Sequence, residues 1–139
     1  MSVAKIVILN WNGAEHLRRF LPSVVAAAPA GVEVVVADNG STDDSLRVLA
    51  TEFPSVGVLR LDANYGFAGG YNRALEQVRA DYYLLLNSDI ETPEGWLAPI
   101  LDVLEREPDV AVVSPKLISW TDRTKFEYAG ASGGFIDFL

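Results

Sequence analysis

AKIVIL at residues 4–9, ending in Asn10-Trp11-Asn12-Gly13, and VEVVVA at residues 32–37, ending in Asp38-Asn39-Gly40-Ser41, decide the fold. Both are short β-branched apolar runs that stop at polar, turn-forming residues, as strands buried on both faces do. Between them Leu17, Phe20, Leu21 and Val24 recur at helical spacing, with Pro22 expected to kink or divide that helix. The alternation continues along the chain. Strands are predicted at Val56–Leu61 (VGVLRL), Tyr82–Leu86 (YYLLL) and Val110–Val113 (VAVV). Ser41 with Asp44 forms a capping-box-like start for a second helix carrying Leu46, Leu49 and Phe53. Phe67, Tyr71, Ala74, Leu75 and Val78 make the apolar stripe of a third. Thr92 and Pro93 read as N-cap and first residue of a fourth, leading into Trp96, Leu97, Ile100, Leu101 and Leu104. Strand and helix in strict alternation imply right-handed crossovers and an α/β, doubly wound, mostly parallel sheet covered on both sides.

Composition excludes several classes of function. Eleven Lys and Arg against nineteen Asp and Glu give a net charge of −8 in 139 residues, which argues against binding nucleic acid or anionic lipid by bulk electrostatics. With no Cys there is no disulfide, thiol nucleophile or Cys-ligated zinc, and the one His, His16, cannot build a multi-His metal site. His16 reads as a surface residue. No apolar run reaches the roughly 20 residues of a membrane span, and the four apolar residues Ile6–Leu9 are too short for a signal peptide. A cytoplasmic chain is expected. After Val113 the pattern decays to one weak strand candidate at Phe126–Ala129, three glycines (Gly130, Gly133, Gly134) and the apolar ending Phe135–Leu139. That ending suggests the first part of something longer. The expected division is an α/β domain over 1–118 and the incomplete start of another region over 119–139.

In doubly wound sheets ligands bind outside the carboxyl ends of the strands. The residues just past each strand are therefore the test for function. Asn10-Trp11-Asn12-Gly13, Asp38 to Asp44, Asp62 to Asn72 and Asn87-Ser88-Asp89 bring carboxylates, carboxamides and glycines to one edge. Asn-Gly and Asp-Asn-Gly are also ordinary turn chemistry, and Asp43 and Asp44 suit a helix start. Asp38 closes its strand directly, where an acidic residue accepts hydrogen bonds from a ribose or base. The glycine-rich run 64–72 leads into a helix but matches neither dinucleotide nor P-loop spacing, and it comes after the third strand. Trp11 and Tyr65 flank the edge and could cover a base or sugar. Arg73 could meet a phosphate, although pairing with Glu76 is its expected fate. Asp89 offers one carboxylate, enough for Mg²⁺ or Mn²⁺ only if substrate phosphates complete the ligand shell. Trp96 reads as packing, and Trp120 is undecided.

The segments 6–13 (IVILNWNG), 35–43 (VVADNGSTD), 64–72 (NYGFAGGYN) and 84–89 (LLLNSD) together resemble inverting family 2 glycosyltransferases of the GT-A fold. They are most similar to the bacterial branch of rhamnosyltransferase-like enzymes of polysaccharide assembly, and cover residues 4 to about 118. The resemblance implies a nucleotide-sugar-binding half. Asn10, Trp11 and Asn12 would line the nucleotide pocket, and Asp38 would hold base or ribose with Asn39 beside it. Asn64, Gly66, Gly69 and Asn72 would wall the donor site, with Ser88 contributing. Asp89 would be the metal-binding end of the family's D-x-D element, whose first position is here Asn87. The implied donor is a nucleoside-diphosphate sugar, UDP- or dTDP-linked. The acceptor in the full-length enzyme would be a saccharide or lipid-linked molecule, which would place that enzyme at the inner membrane face. No catalytic base is assigned. The family supplies it from a Glu-Asp motif downstream, and Asp122, Glu127 and Asp137 lack that context. A truncated chain could also self-associate. Alternatives are a non-catalytic nucleotide-sugar-binding or regulatory domain and a nucleotidyltransferase. The latter is disfavoured because the loop after the first strand carries no basic residue. A phosphoacceptor receiver domain lacks the acidic cluster it would need there.

Overall fold

The computed structural model describes residues 4–128. The chain falls into two compact units, Met1–Trp96 and Leu97–Leu139. In the first unit, β1 (Ala4–Asn10), β2 (Glu33–Asp38), β3 (Gly57–Arg60) and β4 (Tyr82–Asn87) form a parallel sheet in the order β3-β2-β1-β4. Helices α1 (Ala14–Ala27), α2 (Ser45–Glu52) and α3 (Gly66–Gln77) connect them. The second unit holds α4 (Ala98–Arg106) and the antiparallel pair β5 (Leu117–Ile118) and β6 (Phe126–Tyr128).

Strand register sorts the core into two layers. Val7 and Ala37 face α3 and pack with Tyr71, Ala74 and Val78. The alternate positions Ile6, Ile8 and Val36 face the other way and are fully buried, as are Leu17, Leu21 and Val24 of α1 and Val48 and Leu49 of α2. β4 sits at one edge of the sheet, and α3 does not cover it. Tyr82, Leu84 and Leu86 are half-buried, whereas Tyr83, Leu85 and Asn87, on the α3 side, are exposed. Among the described residues of this unit, the expectation of a sheet covered on both sides is met at β1 and β2 and not at β4.

Other local expectations are corrected by tertiary contacts. Val110–Val113 forms no strand, and Val112 is 82% exposed. An apolar run becomes a strand only where a neighbouring ladder accepts its backbone, and none does here among the described residues. Helix α1 runs through Pro22 undivided, while Ser23 Oγ donates to the Phe20 carbonyl and accepts from the Thr92 N–H. Thr92 is buried in that tie and does not cap a helix; α4 begins six residues later, with Pro99 in its first turn. Trp96 precedes α4 and is half-buried, its indole N–H without a partner. Phe67 lies on the predicted stripe but is 66% exposed. His16 and Trp120 are exposed, and β6 matches the weak strand candidate. The expected boundary at residue 118 lies at the end of β5. The glycine-rich run and apolar ending that suggested a truncated chain lie outside the described residues.

The uneven cover of the sheet has a measurable consequence. Ile6→Ala should cost about 2–5 kcal/mol in urea denaturation, because Ile6 is completely buried. Leu85→Ala, at a position 54% exposed, should cost less than about 1 kcal/mol.

Candidate donor-binding site

The carboxyl ends of β1 and β2 are laced by side chains the sequence placed there. Asn10 and Asp38 are register partners on the face covered by α1 and α2. Asn10 Nδ2 donates to Asp38 Oδ1 at 3.2 Å and to Ser41 Oγ at 3.3 Å. Asp38 Oδ2 accepts from the Ser41 N–H at 3.1 Å, so both oxygens of this 2%-exposed carboxylate are bonded. Ser41 Oγ also accepts from the Asn12 N–H at 2.9 Å, and Asn12 Oδ1 accepts from the Thr42 N–H at 2.8 Å. Asn12 holds a left-handed φ of 49°, which asparagine tolerates. Ser41 is thus spent on the β1 loop, and α2 begins at Ser45 after Asp44, not with the expected capping box.

Asp43 has a role beyond the predicted helix-start charge. Its Oδ2 accepts from the Ala14 N–H and its Oδ1 from the Ser45 N–H, both at 3.0 Å. One carboxylate therefore caps the first residues of α1 and α2 together. Burial alone would raise its pKa, but hydrogen bonds from Ser45 and Ala14 outweigh it and hold the carboxyl below the usual range. Asp44 instead pairs with Arg47 at 2.6 Å.

Asn39 carries the network to the third loop. Its Nδ2 donates to Asn64 Oδ1 and to the Gly66 carbonyl, and its Oδ1 accepts from the Tyr65 N–H, each at 3.0 Å. Asn64 Oδ1 accepts the Gly66 N–H at 2.8 Å, so the first N–H of α3 is capped. Gly40 lies where this loop crosses. At φ +73° its missing Cβ would stand 2.6 Å from the Ala63 carbonyl carbon, so no side chain fits.

The remaining predicted residues are not part of this network. Trp11 is 57% exposed, and the side chains of Asn72 and Asp89 are exposed with no hydrogen bond among the described residues. Ser88 is half-buried beside Gly13, where a Cβ would lie 3.7 Å from Ser88 Oγ and 2.4 Å from Asn10 Oδ1. Gly69 lies under Tyr65, with 3.3 Å between its missing Cβ and the Tyr65 Cβ. Tyr65 is not a free cover. Its hydroxyl donates to Asp62 at 2.7 Å, and the Arg73 guanidinium lies 3.8 Å over its ring. That contact replaces the expected Arg73–Glu76 pair.

No group of three or more His, Cys, Asp or Glu residues able to hold a metal occurs among the described residues. Asp89 alone is compatible with a hard cation only where a ligand's phosphates complete the shell. A cleft of about 520 Å³ opens at the opposite, amino-terminal end of the sheet, lined by apolar residues such as Val25, Val32 and Val56. It touches none of these groups.

Polar residues gathered at the carboxyl ends of a β3-β2-β1-β4 sheet are the arrangement of a nucleotide-binding α/β protein. The family model described as "Glycosyl transferase family 2" matches residues 5–131, and the chain belongs to that family. The N-acetylglucosaminyl-diphospho-decaprenol L-rhamnosyltransferase of Mycobacterium tuberculosis is 29% identical over 82% of this chain and 41% of its own length. Among solved structures, TarS of S. aureus in complex with UDP-GlcNAc superposes with a TM-score of 0.66 at 20% identity. That match covers 85% of this chain and 40% of TarS. A mannosyltransferase from Pyrobaculum calidifontis in complex with GDP-Man and Mn²⁺ gives 0.67 at 22%, over 82% of this chain and 36% of its own. These likenesses show the GT-A fold. The chain spans about 41% of the rhamnosyltransferase.

Asp43 supplies a stability test. Its lowered pKa means its contribution is fully present above the unfolded value of 3.8 and is lost as pH falls through the folded value. Asp43→Ala should destabilise by about 1–2 kcal/mol at pH 7, as loss of a helix cap does. The difference from wild type should shrink below about pH 4 in denaturant melts.

Proposed function

We propose that this chain is the donor-binding part of an inverting glycosyltransferase that moves a sugar from a nucleoside diphosphate to an acceptor hydroxyl in bacterial cell-surface polysaccharide synthesis. The observation that carries this reading is the Asn10–Asp38–Asn39–Asn64 network at the strand ends, in a chain of the glycosyl transferase family 2. Asp38 uses two of its roughly four lone-pair positions on Asn10 and Ser41. The others accept from the base or ribose. Asn10, Trp11, Asn12 and Asn39 line the nucleotide end, while Asn64, Gly66, Gly69 and Asn72 wall the donor, with Ser88 near the diphosphate.

Asp89 is the one carboxylate proposed to hold Mg²⁺ or Mn²⁺. When bound, the ion supplies positive charge against the diphosphate leaving group. Inversion needs a general base within hydrogen-bond reach of the acceptor hydroxyl, on the face of the sugar opposite the leaving group. Within the described residues Asp122 is consumed by its own turn: its carboxylate accepts from Thr124 and pairs with Lys125 at 2.9 Å. The base is proposed to lie in the part of the relatives' length that this chain does not span, together with the acceptor site. No helix among the described residues is long and apolar enough to cross a membrane; a lipid-linked acceptor would bring the full-length enzyme to the inner membrane face.

Calorimetric titration of the 139-residue chain with UDP, dTDP and GDP, each with and without Mn²⁺, tests this. One diphosphate, UDP or dTDP, should bind more tightly with metal. Asp38→Ala should weaken it about tenfold or more, as loss of a hydrogen bond from a charged group does. Asp89→Ala should abolish the effect of Mn²⁺. A folded chain that binds none of the three would overturn the donor-site reading.

A further inference from the structure

One buried polar atom at the strand ends is left out of the network. Asn10 is fully buried, and its Oδ1 makes no hydrogen bond among the described residues. The carboxamide is held this way round by its other end, because Nδ2 donates to Asp38 Oδ1 and to Ser41 Oγ. Turning it over would forfeit both bonds and set oxygen against oxygen at Asp38. A buried acceptor without a donor is costly, and each one in a folded chain calls for an explanation.

The unused acceptor lies on the side of β4. The β1–β4 ladder ends with Leu9 opposite Asn87, which leaves Ser88 next to Asn10. Gly13 locates their meeting. The two side chains nearest to the Cβ it lacks are Asn10, with Oδ1 at 2.4 Å, and Ser88, with Oγ at 3.7 Å. Ser88 is half-buried, and its hydroxyl has no hydrogen-bond partner among the described residues. A hydroxyl can donate to Asn10 Oδ1, whereas an ionised Asp89 and the oxygens of a diphosphate only accept. Ser88 stands between Asn87, the last residue of β4, and the exposed Asp89.

We infer that Ser88 is a positioning residue for Asp89: with ligand bound, its hydroxyl donates to Asn10 Oδ1 and latches the loop after β4 to the end of β1. This rests on the proposed donor site, in which Asp89 faces a cation shared with the ligand's phosphates. The anchor is fixed, because β1 is laddered on both sides and Asn10 is bonded to Asp38 and Ser41. The latched part is not: β4 is laddered only to β1, and the Asp89 side chain has no hydrogen bond among the described residues. Fixing the residue immediately before Asp89 removes much of its backbone freedom. The bond that satisfies a buried acceptor thereby offsets part of the entropy cost of ordering the carboxylate. Ser88 touches neither ligand nor cation in this role; it acts through Asp89.

The test titrates the nucleoside diphosphate that wild type binds best, with and without Mn²⁺, into wild type, Ser88→Ala, Ser88→Thr, Asp89→Ala and the double variant Ser88→Ala/Asp89→Ala. Ser88→Ala should cut the gain in affinity given by Mn²⁺ by roughly three- to tenfold, the range for one hydrogen bond. Ser88→Thr keeps the hydroxyl and should restore the gain. On the Asp89→Ala background, Ser88→Ala should change nothing further. Ligand-free Ser88→Ala should melt within about 2 °C of wild type, since the bond forms only with ligand. A Ser88→Ala chain that keeps the full Mn²⁺ gain overturns the inference and leaves the donor site standing, as does a Ser88→Thr chain no better than Ser88→Ala. A loss that persists on the Asp89→Ala background overturns it by making Ser88 a direct ligand contact. A ligand-free Ser88→Ala chain that melts well below wild type overturns it by making the hydroxyl structural. Wild type that binds no diphosphate removes the donor site itself, and the inference with it.

Discussion

The carboxyl edge of this sheet depends on satisfying the buried side chain of Asp38 without a cation beside it. It is 2% exposed, no Lys or Arg pairs with it among the described residues, and its bonds come from a carboxamide and a backbone N–H. A buried carboxylate left without such donors costs several kcal/mol. The β1–β2 register that sets Asn10 opposite Asp38 is therefore strongly specified, because a slip of one residue would turn Asn10 to the other face. The neighbouring contacts depend on it in turn. Asp38 fixes Ser41, the Ser41 hydroxyl fixes Asn12, and the Asn12 carboxamide fixes Thr42 and Asp43. Asp43 then holds the starts of α1 and α2.

This arrangement divides the polar residues of the edge into two kinds. Asn10, Asp38 and Asn39 are buried and bonded to one another's loops, so they shape the rim, and what they leave open is the unpaired Asn10 Oδ1 and the remaining acceptor positions of Asp38. The side chains of Trp11, Asn72 and Asp89 are exposed and make no hydrogen bond among the described residues, so their full capacity faces outward. The glycines mark where the two kinds meet. Gly13 has an ordinary φ of −110° that any residue could adopt, yet a Cβ there would collide with Asn10 Oδ1 at 2.4 Å. It is glycine for the neighbour's sake. Gly40 is glycine on both counts, with a left-handed φ and the backbone of Ala63 and Asn64 against it.

Much of this was legible in the sequence, and the failures share a cause. The four parallel strands were readable because strands buried on both faces are apolar runs, and their ends named the polar edge. Val110–Val113 has the same composition but no ladder to join, and composition does not report a partner. Helix starts misled for a related reason. Ser41 and Thr92 are good capping residues by type, but Ser41 is bonded to Asn12 and Asn10, and the Thr92 backbone to Ser23, both far away in sequence. Phe67 fitted its stripe correctly; the spacing could not show that the sheet stops one turn short of it. Which polar residue would be buried and which left open was likewise set by register and crossing loops, all long-range.

The two ends of the proposed donor site rest on unequal supports. The nucleotide end is built on β1 and β2, central strands laddered on both sides, with three loops cross-bonded above them. The metal end hangs from β4, which is laddered only to β1 and exposes Tyr83 and Leu85 on the side α3 leaves open. Two tyrosines brace it, Tyr71 through the Leu86 carbonyl and Tyr83 through the Val78 carbonyl. Neither reaches past Asn87 to Asp89. A functional carboxylate must be held within about 0.5 Å to act reliably, and a residue two positions beyond an edge strand, with no hydrogen bond of its own, is not so held. In the proposed site, placing a cation against the diphosphate therefore needs the ligand's own phosphates to order Asp89.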